Sequence, residues 1–553
     1  MMSPICSCES SVEIYSLSWY NHHMKSVSNA QNVRLALCLL LIVIGSSVGF
    51  TQGSRGVAYP LLNQSDIFTI ALEPSDDDIV YHPFLITDND SQLVSNGLYE
   101  GLFAYDPVDA KPVPAMASNV RTNEDGTIWT ITLKESLVFS NGDAITSRTF
   151  IDSWMAMLSY AKEGLPMASV SLFDAVKGAR DYRSNKGPAN EVALKAPDEN
   201  TVVIELDYPV PYLPQILAMP AYAPVHPSER PLTGRIDPVD KIVPGPYVIA
   251  EVDNGNILLK KNQRYWDYYG TKSDYIRIIR NMSSEEIAAA YREGAIDWSA
   301  AFIPLQNVAD KRDLRLAAQY STAFFYFSAT DGPYADSAVR RMLVDTIDWP
   351  AIRSSSGQLF PTNRLIPSLE RMQATSVSPE SVPEISDVSA GLPVLNIAIH
   401  RGAQIEEITH SIAERWSTLF GITVVLDVVP LGIYASSPNT SPYQFAGITW
   451  IGDFESPYAF LHMWLSDNPY NLSNFSDQTY DELLFAALAA DTESLRSSYF
   501  QKAEQYLIDQ GIVIPLYHGL SSNFVVTERV EGWYANLLDI HPLKHLKVVS
   551  ENL

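Results

Sequence analysis

The stretch LPVLNIAIHRGAQIEEITHSIAERWSTLFGITVVLDVV (392–429) decides the fold class. Its first ten residues are apolar and β-branched enough for a buried strand. The next twenty place Ile408, Ile412, Trp416 and Leu419 on one face at helical spacing, and Gly421 ends that helix. ITVVLDVV (422–429) then resumes as a strand. Strand, helix and strand in this order, with the strands apolar on both faces, predict a parallel β-α-β unit.

Outward from this unit, short strands alternate with amphipathic helices, with no repeats or low-complexity tracts. ASNVRTNEDGTIWTITLKESLVF (117–139) reads as a hairpin turning at Asp125-Gly126. Thr146 is placed to cap a helix bearing Phe150, Trp154, Met157 and Leu158 on one face. SSEEIAAAYREGAIDW (283–298) carries a serine start, acids in its first turn and a stop at Gly294. Two further helices are expected near 479–490 and 493–510, the second ending at Gly511 before the strand IVIPLY (512–517). Residues 368–391, rich in Ser, Pro, Glu and Val, read as a surface loop.

A chain of 553 residues exceeds one core, so about three domains are expected. With 64 acids against 38 bases the net charge is −26, a surface that repels phosphate and argues against nucleic-acid or anionic-membrane partners. Cys6, Cys8 and Cys38 are the only cysteines, which leaves the body of the chain without thiol nucleophile, disulfide or Cys-ligated metal. Near the start, VRLALCLLLIVIGSSV (33–48) follows Lys25 and Arg34. Its apolar run Leu35–Ile44 is too short to span a bilayer and suits a secretory signal, cleaved near Gly49 after Ser46 and Ser47. An uncleaved anchor is the alternative, and Met24 heads a more typical leader than Met1.

Catalytic patterns are absent: no GxSxG elbow, HExxH, P-loop or GxGxxG after a strand occurs. His541 and His545 are four apart, but Pro542 opposes a metal-binding helix, so packing or surface roles are expected. No cofactor is implied. The 29 Tyr, 20 Phe and 10 Trp suit either a cleft of mixed polarity or ordinary cores.

Several segments, read together, resemble the family-5 extracellular solute-binding proteins, the oligopeptide- and dipeptide-binding receptors of bacterial ABC importers. They are NGLYEGLFAYD (96–106), LVFSNGDAITSRTF (137–150), LKAPDENTVVIELDYPVPYL (194–213) and LKKNQRYWD (259–267). YREGAIDW (291–298), YADSAVRRMLVDTID (334–348), WIGDFESPYAFLHMWLS (450–466) and KAEQYLIDQGIVIPLY (502–517) follow in family order. The resemblance implies an α/β fold of two periplasmic-binding-protein-like lobes around a ligand cleft. Lobe I would comprise 65–99, 191–320 and 518–553, its extra subdomain 100–190, and lobe II 321–517, after a signal peptide at 1–49. It implies an exported, periplasmic or cell-surface receptor, expected to be a monomer and not an enzyme. Such a receptor captures extended peptides by a hinge closure and delivers them to the permease subunits of the inner membrane.

In the W-x-x-D pattern of this family the acid binds the peptide amine, which points to Asp453, three residues after Trp450. A capping role near Ser456-Pro457 is the competing reading. Trp450, Tyr247 and Gly245 are the further candidates for ligand contact, the aromatic pair being equally suited to core. Departures from the pattern bear on the ligand. The turn PGPY (244–247) lacks two backbone N–H groups, and Gly447 stands where the oligopeptide branch often has Arg. A same-fold receptor for a nickel chelate, haem, sugar or opine is therefore the alternative, and a secreted hydrolase a distant one.

Overall fold

The computed structural model describes residues 67–549 except 76–77, 166, 168, 233–235, 302, 304–307, 309–310, 331, 355–359, 369–391, 401–402 and 431–440. The expected leader, and all but one residue of the expected loop at 368–391, lie outside these residues. No helix among the described residues is long and apolar enough to cross a membrane.

The β-α-β unit forms as its sequence dictates. Strand Leu395–Ile399 pairs in parallel with Val424–Val428 across helix Ala403–Phe420, whose Ile408, Ile412 and Trp416 are buried. Gly421 ends the helix at φ +64°, a conformation that disfavours any side chain. The other expected elements appear as helices Ser147–Lys162, Ser284–Arg292, Gln478–Leu488 and Glu493–Asp509. Ser283 and Glu286 close a capping box at the second of these, satisfying two otherwise orphaned amides. The hairpin pairs Ala117–Thr122 with Ile128–Leu133, and Gly126 turns it at φ +67°.

Two lobes share one eleven-stranded sheet. At one end the order is 424–428, 395–399, 445–451; at the other it is 298–299, 67–71, 275–279, 256–261, 247–253. Two long antiparallel strands, Leu314–Phe327 and Val513–Val525, join these ends. The second runs eight residues past the expected IVIPLY strand, because the polar stretch that follows is paired rather than solvated. Their ladder is irregular between Ala318 and Phe324. Beside this irregularity a Cβ on Gly519 would stand 2.0 Å from Ser321 Oγ, so a side chain there would have to turn the serine hydroxyl aside.

Each end has its own core. One gathers Phe68, Ile70, Tyr247, Leu259, Ile276 and Leu543, the other Phe325, Phe327, Ile397, Trp416, Phe445 and Leu516. A third core crosses between elements far apart in sequence. It joins Phe150, Trp154 and Phe173 to Phe454, Trp464 and Tyr480. Each such side chain, fully buried, contributes about 1.5–3 kcal/mol relative to exposure.

The segments NGLYEGL and NQRYWD meet in this scaffold. Glu100 accepts hydrogen bonds from Tyr265 Oη (2.6 Å), Trp266 Nε1 (2.7 Å) and Lys544 Nζ (2.6 Å), all buried or nearly so. Three segments distant in sequence are thereby held together.

Candidate functional site

In the strand order 424–428, 395–399, 445–451 the chain leaves the central strand in opposite directions. A crevice therefore opens at the carboxyl ends of 395–399 and 445–451, the place where open α/β sheets take ligands. Parallel pairing between these two strands is confined to Phe445 and Ala446. Beyond Gly447, residues 448–451 have no strand on that side among the described residues, so their edge can accept an extended chain. A cavity of about 240 Å³ lies there, bounded by His400, Gln404, Ile448, Thr449 and Tyr517. Gly447 is packed so tightly that a Cβ would lie 2.9 Å from the Phe325 ring. An arginine at this position would therefore have to displace core.

Asp453 stands two residues past this edge. The chain reaches it through Gly452, whose N–H donates to Tyr320 O at 2.8 Å and whose Cβ, if present, would lie 2.7 Å from the Tyr320 ring. Burial pushes the Asp453 carboxyl up to about 7, and no cation offsets it. The carboxylate is only part-buried and makes no hydrogen bond or ion pair among the described residues. The capping role is not its own: Ser456 Oγ accepts from Tyr458 N at 3.3 Å instead. An acid this desolvated and without a partner is poised for a cationic ligand group.

Trp450 is half-buried and packs against the core that holds Phe454 and Trp464. Its indole donates to Ala459 O at 2.9 Å, and its ring lies 6.2 Å from that of Tyr470. Phe454 stacks on Tyr212 at 4.9 Å. The other two candidates are packed within the scaffold. Tyr247 has no exposed surface, and its hydroxyl donates to Ser273 O (3.1 Å) and Leu543 O (3.4 Å). Gly245 donates to Leu98 O at 2.8 Å and accepts from Asn262 Nδ2 at 2.9 Å; a Cβ there would lie 2.4 Å from the Leu98 carbonyl carbon. The PGPY turn is wholly buried.

Two buried tyrosines escaped the sequence reading. Tyr105 and Tyr470 are 4% and 2% exposed, yet neither hydroxyl bonds any described residue. Burial, and after it the charge of Asp453, pushes both phenols well above the usual tyrosine range. Their signal was tertiary: each ring is ordinary core by sequence, and only the hydroxyl's surroundings distinguish it.

Segments nearly three hundred residues apart are joined by polar contacts. Arg180 forms a two-pronged bond to Asp467 (Nε–Oδ2 2.8 Å, Nη2–Oδ1 3.0 Å). Arg183, paired with Asp174, donates to Asp467 O at 2.8 Å, and Asn468 Nδ2 donates to Ser171 Oγ at 2.9 Å. Burial alone would raise the Asp467 carboxyl; the Arg180 bonds and the two arginine charges bring it below the usual range. Among the described residues no cluster of His, Cys, Asp and Glu could hold a metal ion.

Residues 111–378 match the family described as bacterial extracellular solute-binding proteins, family 5, middle. The oligopeptide-binding protein OppA of Bacillus subtilis is 24% identical over 530 residues, covering 90% of this chain and 96% of that protein. The structure of Haemophilus influenzae OppA in complex with the peptide RPPGFSPFR superposes with a TM-score of 0.78 at 20% identity, over 88% of this chain and 99% of that one. The Escherichia coli murein tripeptide-binding protein MppA gives 0.76 at 22% identity, with the same coverage. Its unliganded open form gives 0.56 at 22% identity, over 88% of this chain and 98% of that one.

Proposed function

We propose, for a chain that is through residues 111–378 a family-5 bacterial extracellular solute-binding protein, that it is the peptide-capturing receptor of an ABC importer. The observation that carries this reading is the part-buried Asp453 carboxylate, without a partner among the described residues and set past the strand edge at 448–451. A peptide satisfies both features at once. Its backbone adds to the edge at 448–451, and its α-ammonium takes the carboxylate. A charge-assisted bond of this kind contributes about 1.5–3 kcal/mol, against about 8 kcal/mol for a micromolar complex. Side chains of the peptide enter space that makes no sequence-specific demand, so one amine anchor serves many cargoes.

In this reading the lobes are 65–99, 191–320 and 518–553 against 321–517, with 100–190 as the subdomain that brings Arg180 to Asp467. Binding occurs without turnover. The protein is exported by its leader to the periplasm or cell surface and, as a monomer, hands its cargo to membrane permease subunits. Native mass spectrometry of the purified protein tests the ligand class: a ladder of peptide masses is expected, and one non-peptide mass would overturn the reading. Asp453→Asn tests the contact. It should weaken tetra-alanine at least about tenfold while leaving N-acetyl-tetra-alanine unchanged; equal losses would remove Asp453 as anchor.

A further inference from the structure

The register between the two long strands breaks off at Ala318 and resumes at Thr322, passing over Tyr320. The Tyr320 backbone is bonded all the same, to two other segments. Its N–H donates to Leu537 O at 2.7 Å, and its carbonyl accepts from Gly452 N at 2.8 Å. Leu537 lies in a loop near the C-terminus, and Gly452 is the residue before Asp453. One residue thus joins that loop to the turn bearing the candidate anchor. The join is close-packed: the Tyr320 ring meets that of Phe460 edge to face at 5.2 Å, and a Cβ on Gly452 would lie 2.7 Å from the first ring and 2.9 Å from the second.

A single side chain shapes the loop that supplies the Leu537 carbonyl. Asn536, 7% exposed, accepts at Oδ1 from Leu538 N and Ile540 N, each at 3.2 Å. Its Nδ2 donates to Ile540 O at 2.8 Å and to Tyr534 O at 3.3 Å. Two donated and two accepted bonds fill the capacity of the amide. Further along, Asp539 accepts from Asn523 Nδ2 at 3.0 Å and bonds His541 Nε2 at 3.0 Å. The loop is therefore tied to both long strands, to Tyr320 on one and Asn523 on the other, where their own ladder is irregular.

We propose that Asn536 is a positioning residue for ligand capture. By fixing the loop it fixes the Leu537 carbonyl, then the Tyr320 backbone that donates to it, and through Gly452 the place of Asp453. This role rests on the reading of Asp453 as amine anchor. It singles out the amine among the peptide's contacts. The edge at 448–451 has its own ladder with 321–324, so it keeps its place when the loop is loosened, whereas Asp453 lies beyond the last rung. A hydrogen bond to an ammonium weakens steeply once distance or angle is lost.

Calorimetric titration of the wild-type protein and Asn536→Ala with tetra-alanine and N-acetyl-tetra-alanine tests this. The wild type should prefer the free amine by at least about tenfold. In the variant that preference should shrink to about threefold or less, by loss of tetra-alanine affinity, with the acetylated peptide held within about twofold. Amide hydrogen exchange resolved to single residues should quicken at least about tenfold at both Tyr320 and Gly452, and stay unchanged at Phe324 and Phe325 further along the same strand. An undiminished preference, equal weakening of both peptides, or quicker exchange at Tyr320 without Gly452 overturns the proposal. A measurement on the wild type alone covers a variant that does not fold. Coupling between two sites is reciprocal, so saturating tetra-alanine should slow exchange at Tyr320 about fivefold relative to saturating N-acetyl-tetra-alanine. Equal protection by the two peptides overturns the proposal as well. Equal affinity of the wild type for both peptides would instead sink the anchor itself.

Discussion

Binding at Asp453 should titrate, with a midpoint no exposed aspartate would show. The carboxyl ionises near 7 in the unliganded protein because it is buried without a cation, and an ammonium ligand needs the anion. Between pH 7 and pH 5 the ionised fraction falls from about one half to about one hundredth, so affinity for a free-amine peptide should fall about fiftyfold, or about 2.3 kcal/mol. A carboxyl in the ordinary range near 3.9 would change affinity by less than about 10% over the same interval. Above about pH 8 the peptide amine itself loses its proton, and affinity should turn down again. Calorimetry with tetra-alanine at fixed ionic strength measures the acid limb. Paired buffers of different ionisation enthalpy should show about 0.9 proton released per peptide bound at pH 6. The sign for the unliganded fold is the reverse. A carboxyl raised by folding holds its proton more tightly folded than unfolded. Its contribution is therefore greatest below about pH 4 and is lost as pH rises towards 7, by at most about 4 kcal/mol. Asp453→Asn should thus stabilise the empty protein at pH 8 while abolishing the acid limb of binding. Constant affinity between pH 5 and pH 7, or an acid limb that survives in the Asn variant, would refute the assignment.

The Arg180–Asp467 contact should govern release: Asp467→Asn is expected to speed peptide dissociation about tenfold in stopped-flow fluorescence, a loss of about 1.4 kcal/mol, with association little changed. An unchanged off-rate would show that the aromatic packing at Phe454 and Tyr212 holds the closed form by itself. Glu100→Gln leaves the Lys544 ammonium buried without its carboxylate and should cost about 3–5 kcal/mol in denaturant unfolding. A loss under about 1 kcal/mol would mean that Tyr265 and Trp266 already satisfy that corner.

Periodicity carried the β-α-β unit, the capped helix after Ser283 and the hairpin at Gly126, because local spacing and turn chemistry decide those elements. It failed at the strand after Gly511. GLSSN (519–523) reads as a polar exit, but the structure buries it in a ladder with 314–322. There Asn523 accepts from Trp298 Nε1 at 2.9 Å and donates to Asp539 at 3.0 Å, so long-range partners replace water. Family resemblance singled out Asp453, since nothing local distinguishes one acid among 64. The same resemblance pointed to Tyr247 and Gly245. A motif marks a position the fold cannot vary, and here that position packs against Leu98 and Leu543 rather than bordering the crevice. Tyr105 and Tyr470 were illegible for another reason: their side chains belong to a core, and sequence does not show whether a buried hydroxyl finds a partner.

The two strands that tie the lobes together act mechanically as a ribbon. Hydrogen bonding across Leu314–Phe327 and Val513–Val525 resists sliding and stretching, while the break in register near Gly519 leaves bending and twisting soft. One lobe can then move against the other along essentially one coordinate, whatever fills the space between. A receptor built this way reports occupancy by an outline that is the same for every cargo. It also has one dimension that cannot drift: a single inserted residue in either strand would reverse the facing of everything beyond it and turn a lobe inside out.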